Sequence, residues 1–97
     1  MKYLFHPEAE AEFNQSIDYY ENCADGLGYD FAVKVYSAIE RIVAYPKAWT
    51  TLDGEVRRCL TRRLPYGILY AEEMEKIFIL AVMHLHRNPD HWKRRLE

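Results

Sequence analysis

Apolar and polar positions recur along this chain with a period that switches from strand to helix and back. The run from Lys2 to His6 is short and largely apolar, with Tyr3 and Phe5 alternating against Leu4, which predicts a first strand. Pro7 then opens a helix, because proline is tolerated in the first turn, where its missing N–H costs nothing. Glu8, Glu10 and Glu12 fall near the positive end of that helix, where carboxylates are favoured, and helix-end electrostatics is preferred here to a catalytic pair. Ala9, Phe13, Ile17 and Tyr20 recur at helical spacing and are expected to face the core. Asp25–Gly26 and Gly28 interrupt the pattern. A second helix follows to about Ala44, with an apolar stripe of Phe31, Val35, Ala38, Ile39 and Ile42. Tyr45–Pro46 ends it, since the residue before proline disfavours helical geometry. The short connection predicts an antiparallel helical hairpin.

Lys47 to Glu55 reads as a loop holding Trp49 and Asp53–Gly54. Three strand-like runs come next: Val56 to Leu64, Tyr66 to Ala71 and Ile77 to Met83, the last two separated by the polar turn Glu72–Glu75. Ile77 to Met83 is nearly all apolar and predicts a central strand covered on both faces. Asn88–Pro89 makes a good cap and first position for a last short helix, Asp90 to Arg95. The fold class expected is α+β: an N-terminal strand, a helical hairpin, a three-stranded antiparallel meander completing one sheet, and a short C-terminal helix. No repeat, linker or low-complexity tract divides residues 1–97, so one domain is expected.

Composition narrows the class. Hydrophobic residues at 49% and charged residues at 29% exclude a disordered chain. Ninety-seven residues make a small core, so each buried aromatic carries weight. Cys23 and Cys59 have neither CxxC nor Cys/His spacing, so two reduced thiols are expected, with no metal and no cofactor. The first residues lack the apolar run of a signal peptide, and nothing approaches a membrane span. A soluble, cytoplasmic protein without a membrane partner is therefore expected. The net charge of −2 hides an asymmetry. Residues 1–55 hold four Lys/Arg against ten Asp/Glu, and residues 56–97 hold nine against five. A basic C-terminal half suits nucleic acid or an acidic protein as partner, although solvated surface charge explains it as simply.

Four stretches, in this order, carry a resemblance: FHPEAEAEF, IERIVAYPKAW, RRCLTRRLPYGILYAEE and KIFILAVMHLHRNPDHW. The most specific parts are the arginine-rich run before Pro65-Tyr66-Gly67-Ile68 and the closing H-x-H-R-x-P-x-x-W, His84 to Trp92. The chain resembles the RelE/ParE toxin superfamily, and its ParE-like branch in particular, over nearly its whole length. That resemblance implies the toxin of a type II toxin–antitoxin system, with growth inhibition and plasmid stabilisation as its roles. It also implies a hetero-oligomer with a cognate antitoxin. ParE-like members poison DNA gyrase by contact. RelE-like members cut messenger RNA on the ribosome. An inactive relative that only binds an antitoxin is a third reading.

Metal-free RNA cleavage needs a proton acceptor for the 2′-OH, a proton donor for the leaving oxygen and a cation on the phosphate. In RelE-like nucleases an arginine follows the aromatic of the strand that here reads Pro65-Tyr66-Gly67, and a tyrosine lies near the C-terminus. Here Gly67 stands in the first slot and His91–Trp92 near the second. Gyrase inhibition is therefore preferred, with the ribosome and messenger RNA as the alternative target. Were the chain a nuclease, the candidate catalytic residues are His84, His86, Arg87 and Arg58. Histidine titrates near neutrality, and His84 and His86, two apart on a strand, share a face. The alternative is that both end a buried strand and bond to neighbouring backbone. For target binding the candidates are Arg58, Arg62, Arg87 and His86. Arg57, Arg58, Arg62 and Arg63 are placed in one strand, so odd and even positions point to opposite faces. Trp92 is expected to anchor the terminal helix in the core rather than stack on a base. Tyr20, Tyr36 and Tyr45 are the antitoxin-binding candidates, because tyrosines are dense on the helices and some must lie outside the core stripe.

Overall fold

The computed structural model describes residues 1–87, Asp90 and residues 92–96. Strand β1 (Lys2–Phe5) leads into α1 (Pro7–Cys23), and α2 (Leu27–Ala44) follows. Then come β2 (Thr50–Asp53), β3 (Val56–Leu60), β4 (Tyr66–Glu73), β5 (Lys76–His84) and a 3-10 turn at Lys93–Leu96. Pro7 sits in the first turn of α1 as expected, and the His6 ring caps it by accepting the Glu8 N–H at 3.1 Å.

The sheet is mixed, in the order β1-β5-β4-β3-β2. β1 lies parallel to β5, while β2 to β5 form an antiparallel meander. The α+β class stands, with one strand more than the meander expected. Thr50–Asp53, read as loop, is an edge strand paired with β3. Its four residues are all exposed, so they carry no alternating apolar signal. The run expected to reach Leu64 leaves the ladder after Leu60. Thr61 closes the turn there, its hydroxyl donating toward the carbonyls of Leu64 and Tyr66, and Arg63 takes φ +62. Arg62 and Arg63 thus lie in a turn and not in one strand with Arg57 and Arg58. The expected helix from Asp90 is only the single 3-10 turn from Lys93, and the Asn88–Pro89 cap lies outside the described residues.

Two apolar layers flank the sheet. Facing the helices, the expected α2 stripe, Phe31, Val35, Ala38, Ile39 and Ile42, is buried in full against Ile68, Tyr70, Ile77 and Ile79. Ala9 and Phe13 join that core from α1, and Ile17 and Tyr20 pack at its margin. On the other face, Val56, Leu69, Leu80 and Met83 are covered by Trp92, which is 3% exposed. Trp92 is therefore the core anchor expected of it. A bulge opposite Leu69/Tyr70 puts both Leu80 and Ala81 of β5 in this second layer, so the alternation of inward residues shifts by one along the strand. Among the described residues no helix is long and apolar enough to cross a membrane.

Candidate functional site

The C-terminal end of β5 is where candidate residues meet. Tyr66 pairs with His84 across the β4–β5 ladder, and their rings meet edge-on at 5.3 Å. Past His84 the chain turns back, the Arg87 N–H donating to the His84 carbonyl at 3.0 Å. The turn brings the His86 ring to 5.0 Å from that of His84. It also points the His86 backbone N–H at His84 Nδ1, 3.1 Å away. An Nδ1 that accepts a hydrogen bond leaves the neutral ring protonated at Nε2, so His84 presents a donor to its surroundings. The two histidines are thus brought together, by a turn beyond the strand rather than along it.

A cleft of about 350 Å³ opens on the sheet face away from the helices. Leu69, Met83 and Trp92 supply apolar lining, and Arg58, His84 and Arg87 are polar residues on its walls. A second cleft, about 450 Å³, lies between α1 and the same end of β5, with Glu12, Tyr20 and Tyr66 in its lining. Met83, His84 and Arg87 belong to both, so they form the ridge between them. Of the residues expected at the target surface, Arg58 and Arg87 share the first cleft, while exposed His86 and Arg62 lie off its lining. Asp53 and Asp90 also line it, and Lys93 reaches both, at 3.7 and 3.0 Å. Those carboxylates raise the Lys93 ammonium above its usual range, Asp90 more than Asp53.

Gly67 has a specific spatial role. A Cβ built there would lie 3.0 Å from Arg58 Cδ and 3.1 Å from its Cγ. Arg58, on β3 opposite Leu69 of β4, therefore runs the aliphatic part of its side chain over the glycine. Arg57, on the other face, donates to the Trp49 carbonyl at 2.8 Å and holds the β2 edge, so the expected divergence of Arg57 and Arg58 is observed.

The sequence reading missed Glu12 and Arg95. Arg95, 8% exposed, grips Glu12 with two nitrogens at 2.7 and 2.8 Å and also donates to the Leu80 carbonyl. Glu8 lies 3.4 Å from the Arg95 Nε, so two of the three N-terminal acids serve an ion pair rather than the helix end alone. Arg95 stands in the run Lys93-Arg94-Arg95, which looks like solvated charge, and no sequence signal links it to a residue 83 positions away.

The antitoxin candidates separate. Tyr20 is half-buried, stacked on Phe31 at 4.9 Å and in reach of Tyr66. Tyr36 is exposed and edge-on to Phe13, and Tyr45 is the most open of the three at 68%. Cys23 is exposed and Cys59 buried, both as free thiols. Among the described residues no group of three or more His, Cys, Asp and Glu is placed to hold a metal ion.

No protein-family model matches the sequence. The curated proteins likewise hold no significant match. Among solved structures, the fold is similar to that of a chain in the "Chromosomal ParDE TA system from P. aeruginosa". The TM-score is 0.61, over 87% of this chain and 95% of that one, at 19% identity. The α+β architecture expected from the sequence is thus a ParE-like fold.

Proposed function

We propose that this chain is the toxin of a type II toxin–antitoxin module, neutralised by a cognate antitoxin, and that it inhibits DNA gyrase by protein contact. The ParE-like fold supports the class. The mechanism rests on one observation: the cleft at the end of β5 carries several charged residues, and its groups able to take a proton are each engaged by a neighbour. His84 offers its Nε2–H because Nδ1 is engaged, and Asp53 and Asp90 are both held by Lys93. Trp92 is buried, and its indole has no proton to exchange at neutral pH. Arg58 and Arg87 then act as recognition groups, suited to bidentate pairing with carboxylate or phosphate on the target. His86 and Arg62 extend that basic surface outside the cleft. Tyr36 and Tyr45, both exposed, and half-buried Tyr20 apart from them offer amphipathic rings on the helices to an antitoxin segment that gains structure on binding.

A second reading has an observation of its own. With Arg58 across Gly67, the cleft holds a cation beside His84 and Arg87, as a metal-independent endoribonuclease would need. Loss of a general base typically costs about 10²–10⁴-fold, so weak cleavage is compatible with this arrangement.

Expression of the chain alone is expected to arrest growth, and co-expression of the adjacent reading frame to restore it. Normal growth at verified expression of folded protein would remove the toxin reading and leave an inactive antitoxin-binding relative.

A further inference from the structure

β1 covers only half of its neighbour. Its register with β5 runs from Lys2↔Lys76 to Phe5↔Ile79, and the last bond is His6 N–H to the Ile79 carbonyl at 2.8 Å. Pro7 then turns the chain into α1. Among the described residues no strand pairs with the outer edge of β5 from Leu80 onward, and unpaired backbone groups at a buried edge are costly. Two side chains take the place of the missing strand. Arg95 Nη1 donates to the Leu80 carbonyl at 2.9 Å, and the Val82 N–H points to Glu12 Oε1 at 3.4 Å. The same two residues hold each other by the bidentate contact described above. Three parts of the chain are joined in this way: α1, the open half of β5 and the C-terminal segment.

That segment forms one side of the cleft. It places Trp92 over the second apolar layer and Lys93 against Asp53 on β2. The helix-facing core is built without it. We propose that Glu12 and Arg95 are positioning residues for the target site: their ion pair stands in for a sheet strand and holds the C-terminal segment against the sheet, so that the cleft containing Arg58, His84 and Arg87 keeps its shape. This rests on the toxin reading for its functional consequence and on the geometry alone for its structural one. Removing one partner of such a buried pair leaves the other charge uncompensated, which releases the segment without dissolving the helical hairpin.

The test uses the full chain in a Trp49→Phe background, so that Trp92 is the sole indole. In Arg95→Met the Val82 amide is expected to lose about a hundredfold in hydrogen-exchange protection, as for a broken buried pair. Trp92 emission should shift to that of an indole in water, cooperative unfolding should persist, and growth arrest should be lost. Arg95→Lys keeps the charge and one of the contacts and should restore arrest in part. Unchanged Val82 protection and Trp92 emission would overturn the proposal, as would released Trp92 with full growth arrest. If Arg95→Met fails to fold, Glu12→Gln decides, because the amide oxygen keeps an acceptor for Val82 while the charge and one of the two acceptors for Arg95 are lost. The same fall in protection in a folded Glu12→Gln protein supports the proposal, and none overturns it. A parent chain that never arrests growth would defeat the toxin reading, while exchange and emission would still decide the structural claim.

Discussion

Single side chains decide what the cleft contains. The sequence reading of Gly67 is the absence of an arginine. It was incomplete as to space, because the register that lays Arg58 over Gly67 belongs to the β3–β4 pairing and leaves no mark on either stretch alone. Trp92 was legible for the opposite reason: a large apolar ring near the chain end has few places to go but the core. Tyr70 gives a quantity to measure. Its ring is fully buried, its hydroxyl donates to the Pro46 carbonyl, and burial pushes its phenol up to about 12. Tyr20, desolvated and bonded to Tyr66, is also pushed up to about 12. A raised phenol favours the neutral form in the folded state. Below pH 10 both states keep the proton and the stabilisation is complete. From about pH 10 to 12 only the unfolded chain gives it up, so stability falls as pH rises. For Tyr70 the loss is expected to be on the order of 2 kcal/mol. Urea midpoints between pH 9 and 12 check this, and Tyr70→Phe should flatten the fall. An equal slope in Tyr70→Phe would assign the loss elsewhere.

Elements were legible where their period was strong. Both helices keep close to their expected limits, because a 3.6-residue apolar stripe, Pro7 at the start of α1, the Asp25–Gly26 break and Pro46 after α2 leave little choice. β2 was not, since a fully exposed edge strand of four residues is held by backbone pairing and by the Arg57 contact to Trp49, neither of which has a pattern. The turn between the helices was read as a break, which it is, but its glycines do different work. Gly26 takes φ +84 ahead of α2. Gly28 is where the helices touch: a Cβ there would lie 2.6 Å from the Ile17 carbonyl oxygen. Glu21 on α1 caps the start of α2, accepting from the Gly26 and Gly28 N–H groups at 2.9 and 3.0 Å. Gly28→Ala must push backbone away from backbone and is expected to cost about 1–3 kcal/mol. Chemical denaturation should show a lower midpoint at an unchanged slope. A midpoint equal to that of the parent would mean the hairpin has slack the geometry does not show.

At the scale of the whole molecule, charge and cleft coincide. The basic half of the sequence includes β3, the turn after β5 and the C-terminal segment, and these bring Arg58, Arg87 and Lys93 to one side of the sheet. The acidic half supplies both helices, and it reaches across to the basic half through Glu12 and Arg95. The fold was legible because resemblance and periodicity pointed to the same order of elements. The candidate cleft was legible only in part: Arg58, His84 and Arg87, which line it, were named from the sequence, but what joins them is a bulged register, a turn and a strap of remote residues. The most direct test of the proposed mechanism is gyrase supercoiling with the purified chain, run beside cleavage of messenger RNA on translating ribosomes. Loss of supercoiling that weakens in Arg58→Ala and Arg87→Ala and persists in His84→Ala, with no ribosome-dependent cuts, is the result predicted. Intact supercoiling together with ribosome-dependent cuts that vanish in His86→Ala or Arg87→Ala would contradict it and establish the nuclease instead.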